Sequence, residues 1–198
     1  MASGTIVILN GVPRAGKSSI AAVIQETFAG TWINLGVDVA REATPPRYQP
    51  GIGLRPGDPD HPAAVVVPQL YAAWYEGIAA QSRAGLNVVA DFGHYDAAIV
   101  TDCARRLDGL PAYFVGVRCP IEVIMERRNA SPPGMYAVGS REDLVPAPVQ
   151  RWQDQVHALG VYDLELDTSV LTPEDCAAAI RERLATPPSA FAQLAKGA

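Results

Sequence analysis

Short apolar runs rich in β-branched residues alternate along the chain with stretches whose apolar positions return every three or four residues. This alternation predicts a series of strand–helix units. Residues 5–9 (TIVIL), 31–37 (TWINLGV), 86–90 (LNVVA), 111–117 (PAYFVGV) and 162–166 (YDLEL) read as strands. Behind the first, Ile20, Val23, Ile24, Thr27 and Phe28 fall at helical spacing. A helix over 63–83 places Val66, Leu70, Ala73, Trp74 and Gly77 on its inner face, with Tyr71, Trp74 and Tyr75 available as an aromatic wall. Ile99, Val100, Cys103 and Leu107 mark a helix over 95–108. Val123 and Ile124 mark another after Pro120, ending in the pair Arg127 and Arg128, and Val149, Trp152, Val156 and Leu159 mark the next. Thr172, Pro173, Glu174 and Asp175 supply a cap, a proline at the first helical position and two acids in the first turn. Apolar strands alternating with helices predict an α/β fold, a five-stranded parallel sheet with helices on both faces, and the chain 1–198 reads as one domain.

Between the first strand and first helix lies Gly11-Val12-Pro13-Arg14-Ala15-Gly16-Lys17-Ser18, which fits the phosphate-loop pattern G-x-x-x-x-G-K-[ST]. Its glycines let backbone N–H groups close around phosphate oxygens, Lys17 reaches the outer phosphates, and the Ser18 hydroxyl takes a place on Mg²⁺, with Ser19 completing the nucleotide-binding set. The plain alternative is a glycine-rich strand-to-helix turn. Two carboxylates fall where strands end. Asp91, closing 86–90, is a candidate metal-linked acid or a turn residue, and Asp38, closing 31–37, should face the crevice at the carboxyl ends of the strands. Residues 44–62 and 131–145 are rich in proline and glycine and read as a substrate-side loop and a lid, the second containing Arg141. No chemistry is assigned to the tail from 186 onward.

A net charge of −5 over 198 residues argues against a nucleic-acid or anionic-membrane partner. Three cysteines, Cys103, Cys119 and Cys176, without a C-x-x-C pair point to reduced thiols in the cytoplasm and to buried small hydrophobes. No signal segment or apolar span is expected at the N-terminus. His61, His94 and His157 lack metal-ligand spacing, so zinc is not expected. His61 and His94 are either substrate contacts or surface residues.

Leu35-Gly36-Val37-Asp38, Gly116-Val117-Arg118-Cys119, Val156-His157 and the run from Tyr162 through Asp163, Leu164, Glu165, Leu166 and Asp167 to Thr168 resemble chloramphenicol phosphotransferase and its relatives, in order from about residue 5 to 168. The resemblance implies a P-loop kinase fold with a small lid, ATP as donor, and transfer of the γ-phosphoryl group to a hydroxyl of a small molecule. It implies that Asp38 is the base that receives the hydroxyl proton. The residues alone leave Asp38 as base or as cap of a short helix over 39–43. Arg127 falls where the family has an arginine, and Arg141 is a second candidate for neutralising the transferring phosphoryl group. Arg118 is either near the nucleotide or in a surface ion pair. The 44–62 loop and the stretch Phe92-Gly93-His94-Tyr95 depart from the family's acceptor pattern, and Asp91 lacks a following second acid.

The expected function is an ATP-dependent, Mg²⁺-requiring kinase acting on a hydroxyl of an antibiotic or natural product, and so able to confer resistance. The alternatives are a kinase of a metabolite, nucleoside or sugar, and a nucleotide-binding switch without phosphoryl transfer.

Overall fold

The computed structural model describes residues 2–49, 64–94, 96–132, 136–140 and 144–196. Five strands, β1 (Ile6–Asn10), β2 (Trp32–Asn34), β3 (Asn87–Phe92), β4 (Ala112–Arg118) and β5 (Leu164–Asp167), pair in parallel in the order β2-β3-β1-β4-β5. The helices are α1 (Lys17–Thr27), α2 (Val37–Ala43), α3 (Val67–Arg83), α4 (Ala97–Arg106), α5 (Ile121–Asn129), α6 (Ala147–Gln155), α7 (Pro173–Arg183) and α8 (Ala190–Lys196).

Side chains of a strand point alternately to its two faces, so β1 feeds two cores at once. Ile6 and Ile8 join Tyr75, Ile78, Val100, Cys103 and Phe114 under α3, α4 and α8. Val7 and Leu9 join Ile20, Ile24, Val115, Ile124 and Ile180 under α1, α5 and α7. Every residue of β1 is buried because the sheet is covered on both sides, which is why this strand shows no polar alternation. β5, at the sheet edge, alternates between exposed and buried positions. α7 starts on the predicted cap: the Thr172 hydroxyl accepts from Asp175 N, and the Asp175 carboxylate accepts from Thr172 N.

The structure departs from the pattern reading at four places. The second strand stops at Asn34, and Val37 and Asp38 belong to α2. Asn34 Oδ1 accepts from Gly36 N at 2.9 Å, and this local turn competes with strand extension. α3 turns Val67, Tyr71, Tyr75, Ile78 and Ser82 inward, whereas Ala73 and Gly77 are exposed. The last strand begins at Leu164, because Asp163 turns its carboxylate back to Phe114 N, Ser189 N and Ala190 N. The tail forms α8, whose Phe191 stacks on Phe114 at 4.9 Å between ring centroids. Of the 44–62 loop, Pro46–Tyr48 forms a short 3₁₀ turn, and the part from residue 50, with His61, lies outside the described residues. Among the described residues no helix is long and apolar enough to cross a membrane.

Candidate active site

The loop that leaves β1 bends through left-handed backbone at Arg14 (φ 75°) and Gly16 (φ 92°) before α1 begins at Lys17. Gly16 has no side chain to cap the helix, so the first N–H groups of α1 face the loop's hollow, where the helix dipole favours an anion. Lys17 is buried, and its ammonium donates to Gly11 O and Val12 O, both at 2.9 Å. A cation held at the mouth of a ring of amides suits a polyphosphate.

Beside it, the Ser18 hydroxyl donates to Asp91 Oδ2 at 2.7 Å. Asp91 lies within β3 and is buried, one position beyond the predicted strand end. Its register partner across the central pairing is Leu9, so β1 and β3 deliver the loop and the carboxylate to one place. A hydroxyl and a carboxylate at this spacing are a hard-oxygen donor pair that fits Mg²⁺ with nucleotide phosphates and water completing the shell. Gly36 makes room for the acid: a methyl at that position would lie 1.8 Å from Asp91 Oδ1.

Asp38 projects from the second position of α2, whose cap is Gly36, so the cap reading of Asp38 fails. Its carboxylate is 53% exposed and stands 3.9 Å from Arg41 Nε, a distance and exposure at which an ion pair contributes little. Leu35 ahead of it is fixed from α3, since Trp74 Nε1 donates to Leu35 O at 2.8 Å.

These groups open on one cavity of about 380 Å³. Gly11, Pro13, Arg14, Gly16, Lys17, Ser18 and Ser19 form its floor, whereas Val12 and Ala15 turn into the core. Its walls are formed by Val37, Asp38, Tyr71, Phe92, Gly93 and Trp152 together with Arg127, Tyr136, Thr168, Leu171 and Pro173.

The arginines are held in different ways. Arg127 donates to Thr168 O at 2.6 Å, Thr168 Oγ1 at 3.2 Å and Arg14 O at 3.3 Å. Arg14 returns a bond to Arg127 O at 2.9 Å, which locks the phosphate loop to α5. Arg128 is buried, donates to Ala137 O, and faces the Tyr136 ring from 5.2 Å, with Arg14 5.4 Å from the same centroid. Arg141 lies outside the described residues. Arg118 pairs with Glu165 and does not line the cavity.

His94 is neither a surface residue nor part of the cavity wall. It is buried behind Phe92, stacked at 4.7 Å, and its N–H donates to Asn10 Oδ1 at 2.6 Å. Burial, aided by the Lys17 charge, lowers its pKa to about 3, so the ring is neutral. Asn10 Nδ2 donates onward to Val156 O and the Tyr162 hydroxyl, tying the end of β1 to the end of α6 and to the segment that leads into β5. Tyr95 lies outside the described residues.

Sequence reasoning missed Trp152, Tyr136 and Thr168 as cavity residues. Thr168 directly follows the carboxyl end of β5, and the rule that ligands gather there could have found it. Trp152 was absorbed into a core stripe, and nothing local marks it as a wall.

A five-stranded parallel sheet whose central strand ends in a phosphate loop, with a lysine, a serine and a strand-borne aspartate at its lip, defines a P-loop kinase fold. The chain belongs to the chloramphenicol phosphotransferase-like protein family, whose description matches residues 4–185. Predicted O-phosphotransferases of Mycobacterium tuberculosis, strains CDC 1551 and H37Rv, are 28% identical over 216 residues, spanning 99% of this chain and 90% of theirs. Among solved structures, a sugar kinase from Janibacter superposes with a TM-score of 0.63 at 19% identity, covering 94% of this chain and 98% of its own. The tunicamycin resistance protein of Deinococcus radiodurans does so with a TM-score of 0.61 at 18% identity, covering 93% and 98%. At that identity the two structures share the fold.

Proposed function

We propose that the protein is an ATP-dependent O-phosphotransferase that moves a γ-phosphoryl group to a hydroxyl of a small molecule, an antibiotic or other natural product. The observation that carries this reading is the convergence of Lys17, Ser18, Asp91 and Asp38 on one cavity. Free, buried cysteines support a reducing compartment such as the cytoplasm.

When bound, ATP supplies the phosphoryl group and Mg²⁺ neutralises charge between its phosphates, with Ser18 and Asp91 holding the cation directly or through water. Lys17 and the N–H groups at the start of α1 hold the phosphates still. Asp38 orients the acceptor hydroxyl and accepts its proton as the new phosphate ester forms. Arg127, fixed by Thr168, offers positive charge in the wall of the cavity, and Arg141 is a second cation for the lid.

The test is Asp38→Asn, assayed for ADP and phosphate ester over a panel of hydroxyl compounds. Because Gly36 is the cap, the substitution keeps α2. We expect kcat to fall by about 10²–10⁴-fold, the usual worth of a general base, with unchanged affinity for an ATP analogue. Near-normal turnover by this variant would remove Asp38 from the chemistry, and a panel yielding no ester with wild type would refute the transferase reading.

A further inference from the structure

We propose that Trp74 is a positioning residue for Asp38: its indole N–H clamps the peptide from which α2 departs and so sets where the carboxylate stands in the cavity wall. The inference rests on the transferase reading above, in which Asp38 is the base.

Asp38 is carried by a short support. α2 has seven residues, of which Val37 and Ala40 are buried, and the Asp38 side chain at its second position is 53% exposed. A helix of that length is too short to be stable by itself, so its direction is inherited from the turn ahead of it. That turn is one trans peptide plane, made of Leu35 C=O and Gly36 N–H, whose polar ends point in opposite directions. Gly36 N donates to Asn34 Oδ1 at 2.9 Å, and Leu35 O accepts from Trp74 Nε1 at 2.8 Å. The preceding peptide is anchored on β3, where Leu35 N donates to Val89 O at 3.0 Å. Turning the plane about its flanking bonds would break one of the two bonds that hold its ends.

The need for an outside clamp follows from Gly36. No side chain fits there, because a methyl would lie 1.8 Å from Asp91 Oδ1. The glycine that makes room for the acid also has the widest backbone freedom of any residue, at the joint that aims Asp38. Asn34 belongs to the same turn and moves with it, whereas Trp74 reaches in from α3, 39 residues away in sequence. α3 is seated on the sheet through Tyr71, Tyr75 and Ile78, and Trp74 packs with Leu35 against that same core. Tyr71, one turn before Trp74, lines the cavity that Asp38 also lines. The indole nitrogen is a donor only, so its bond to Leu35 O has one sense and one direction.

Two substitutions separate this hydrogen bond from packing. Trp74→Phe keeps an aromatic ring and removes the donor. Trp74→His keeps a ring N–H, since imidazole Nε2 and indole Nε1 hold corresponding places in their five-membered rings, and gives up the rest of the indole. The assay uses ATP and the panel compound that wild type phosphorylates fastest. We expect Trp74→Phe to lower kcat by at least about tenfold, less than a full 1 Å misplacement costs, with KM for ATP unchanged. Trp74→His should return kcat to within about twofold of wild type, and Trp74→Phe should slow Asp38→Asn by no more than that factor. Hydrogen exchange with a non-hydrolysable ATP analogue bound should be faster over 36–40 in Trp74→Phe than in wild type or Trp74→His, and unchanged over 11–19. Full activity in Trp74→Phe, equal losses in both variants, a full further loss on top of Asp38→Asn, a parallel rise in KM for ATP, or equal exchange over 36–40 would each overturn the proposal. Failure of the transferase reading shows separately, as wild type that forms no ester or as near-normal turnover in Asp38→Asn alone.

Discussion

Gly36 and Asp91 approach closely because one of them lacks a side chain, and Gly36 is also the cap of α2, the helix that carries Asp38. Gly36→Ala puts a methyl 1.8 Å from Asp91 Oδ1, so either the acid or the helix must move. Displacement of about 1 Å at such a site costs on the order of 100-fold in rate. We expect kcat to fall by about that factor and the Mg²⁺ concentration for half-maximal rate to rise, both read in a steady-state titration of the metal; unchanged values would show that the contact is incidental. At this scale the placement of Lys17, Ser18 and Asp91 beside one another was legible in the sequence because it depends on spacing along one loop and on a strand end. The placement of His94 was not, because it depends on a turn folding back onto Asn10, 84 residues away in sequence.

Elements show a different limit. An apolar periodicity identifies α3, but it does not choose between two stripes about 100° apart when both contain alanine and aromatic residues. The sheet takes Tyr71, Tyr75 and Ile78, and Trp74 is left half-buried to bond Leu35 O. α8 escaped the pattern reading because seven residues span only about two turns, too short for a helical repeat to show, and they follow a proline-rich stretch; Phe191 and Ala190 close the core under α4. Its attachment runs through Asp163, fully buried, which pairs with Arg183 at 2.9 Å and accepts from Ser189 N at 2.7 Å. Asp163→Ala leaves Arg183 and three backbone donors without that acceptor, a change of a kind that costs about 3–5 kcal/mol. Chemical denaturation should show that loss, while the affinity for an ATP analogue stays at the wild-type value because Asp163 does not line the cavity.

For the whole molecule, the two described histidines make stability depend on pH. Burial is the main cause in both, lowering His94 to about 3 and the half-buried His157 to about 4. In the unfolded chain each takes up a proton below about pH 6.5, which the folded chain refuses until pH approaches those lower values. Stability is therefore full above about pH 7 and declines as pH falls toward 4, by up to about 1.4 kcal/mol per pH unit for each histidine. Urea midpoints measured at pH 7.5, 6 and 5 should fall less steeply in His94→Gln than in wild type, and equal slopes would contradict the assignment. The overall α/β architecture and its five parallel strands were legible from alternating apolar runs and helical stripes, whereas the strand order was not. The aromatic part of the cavity wall was not, since Val37, Tyr71, Phe92 and Trp152 come from four elements that only the folded sheet brings together.

The stacking of Phe191 on Phe114 also bears on how the chain is made. β4 lies next to the central strand, yet the cover of one of its faces is completed only by a phenylalanine 77 positions later in sequence. A chain emerging from a ribosome leaves this part of β4 without its α8 cover for as long as residue 191 remains in the exit tunnel. The nascent protein thus passes through an interval with its phosphate loop already synthesised and α3 and α4 in place, but with the Phe114 side of that layer still lacking α8.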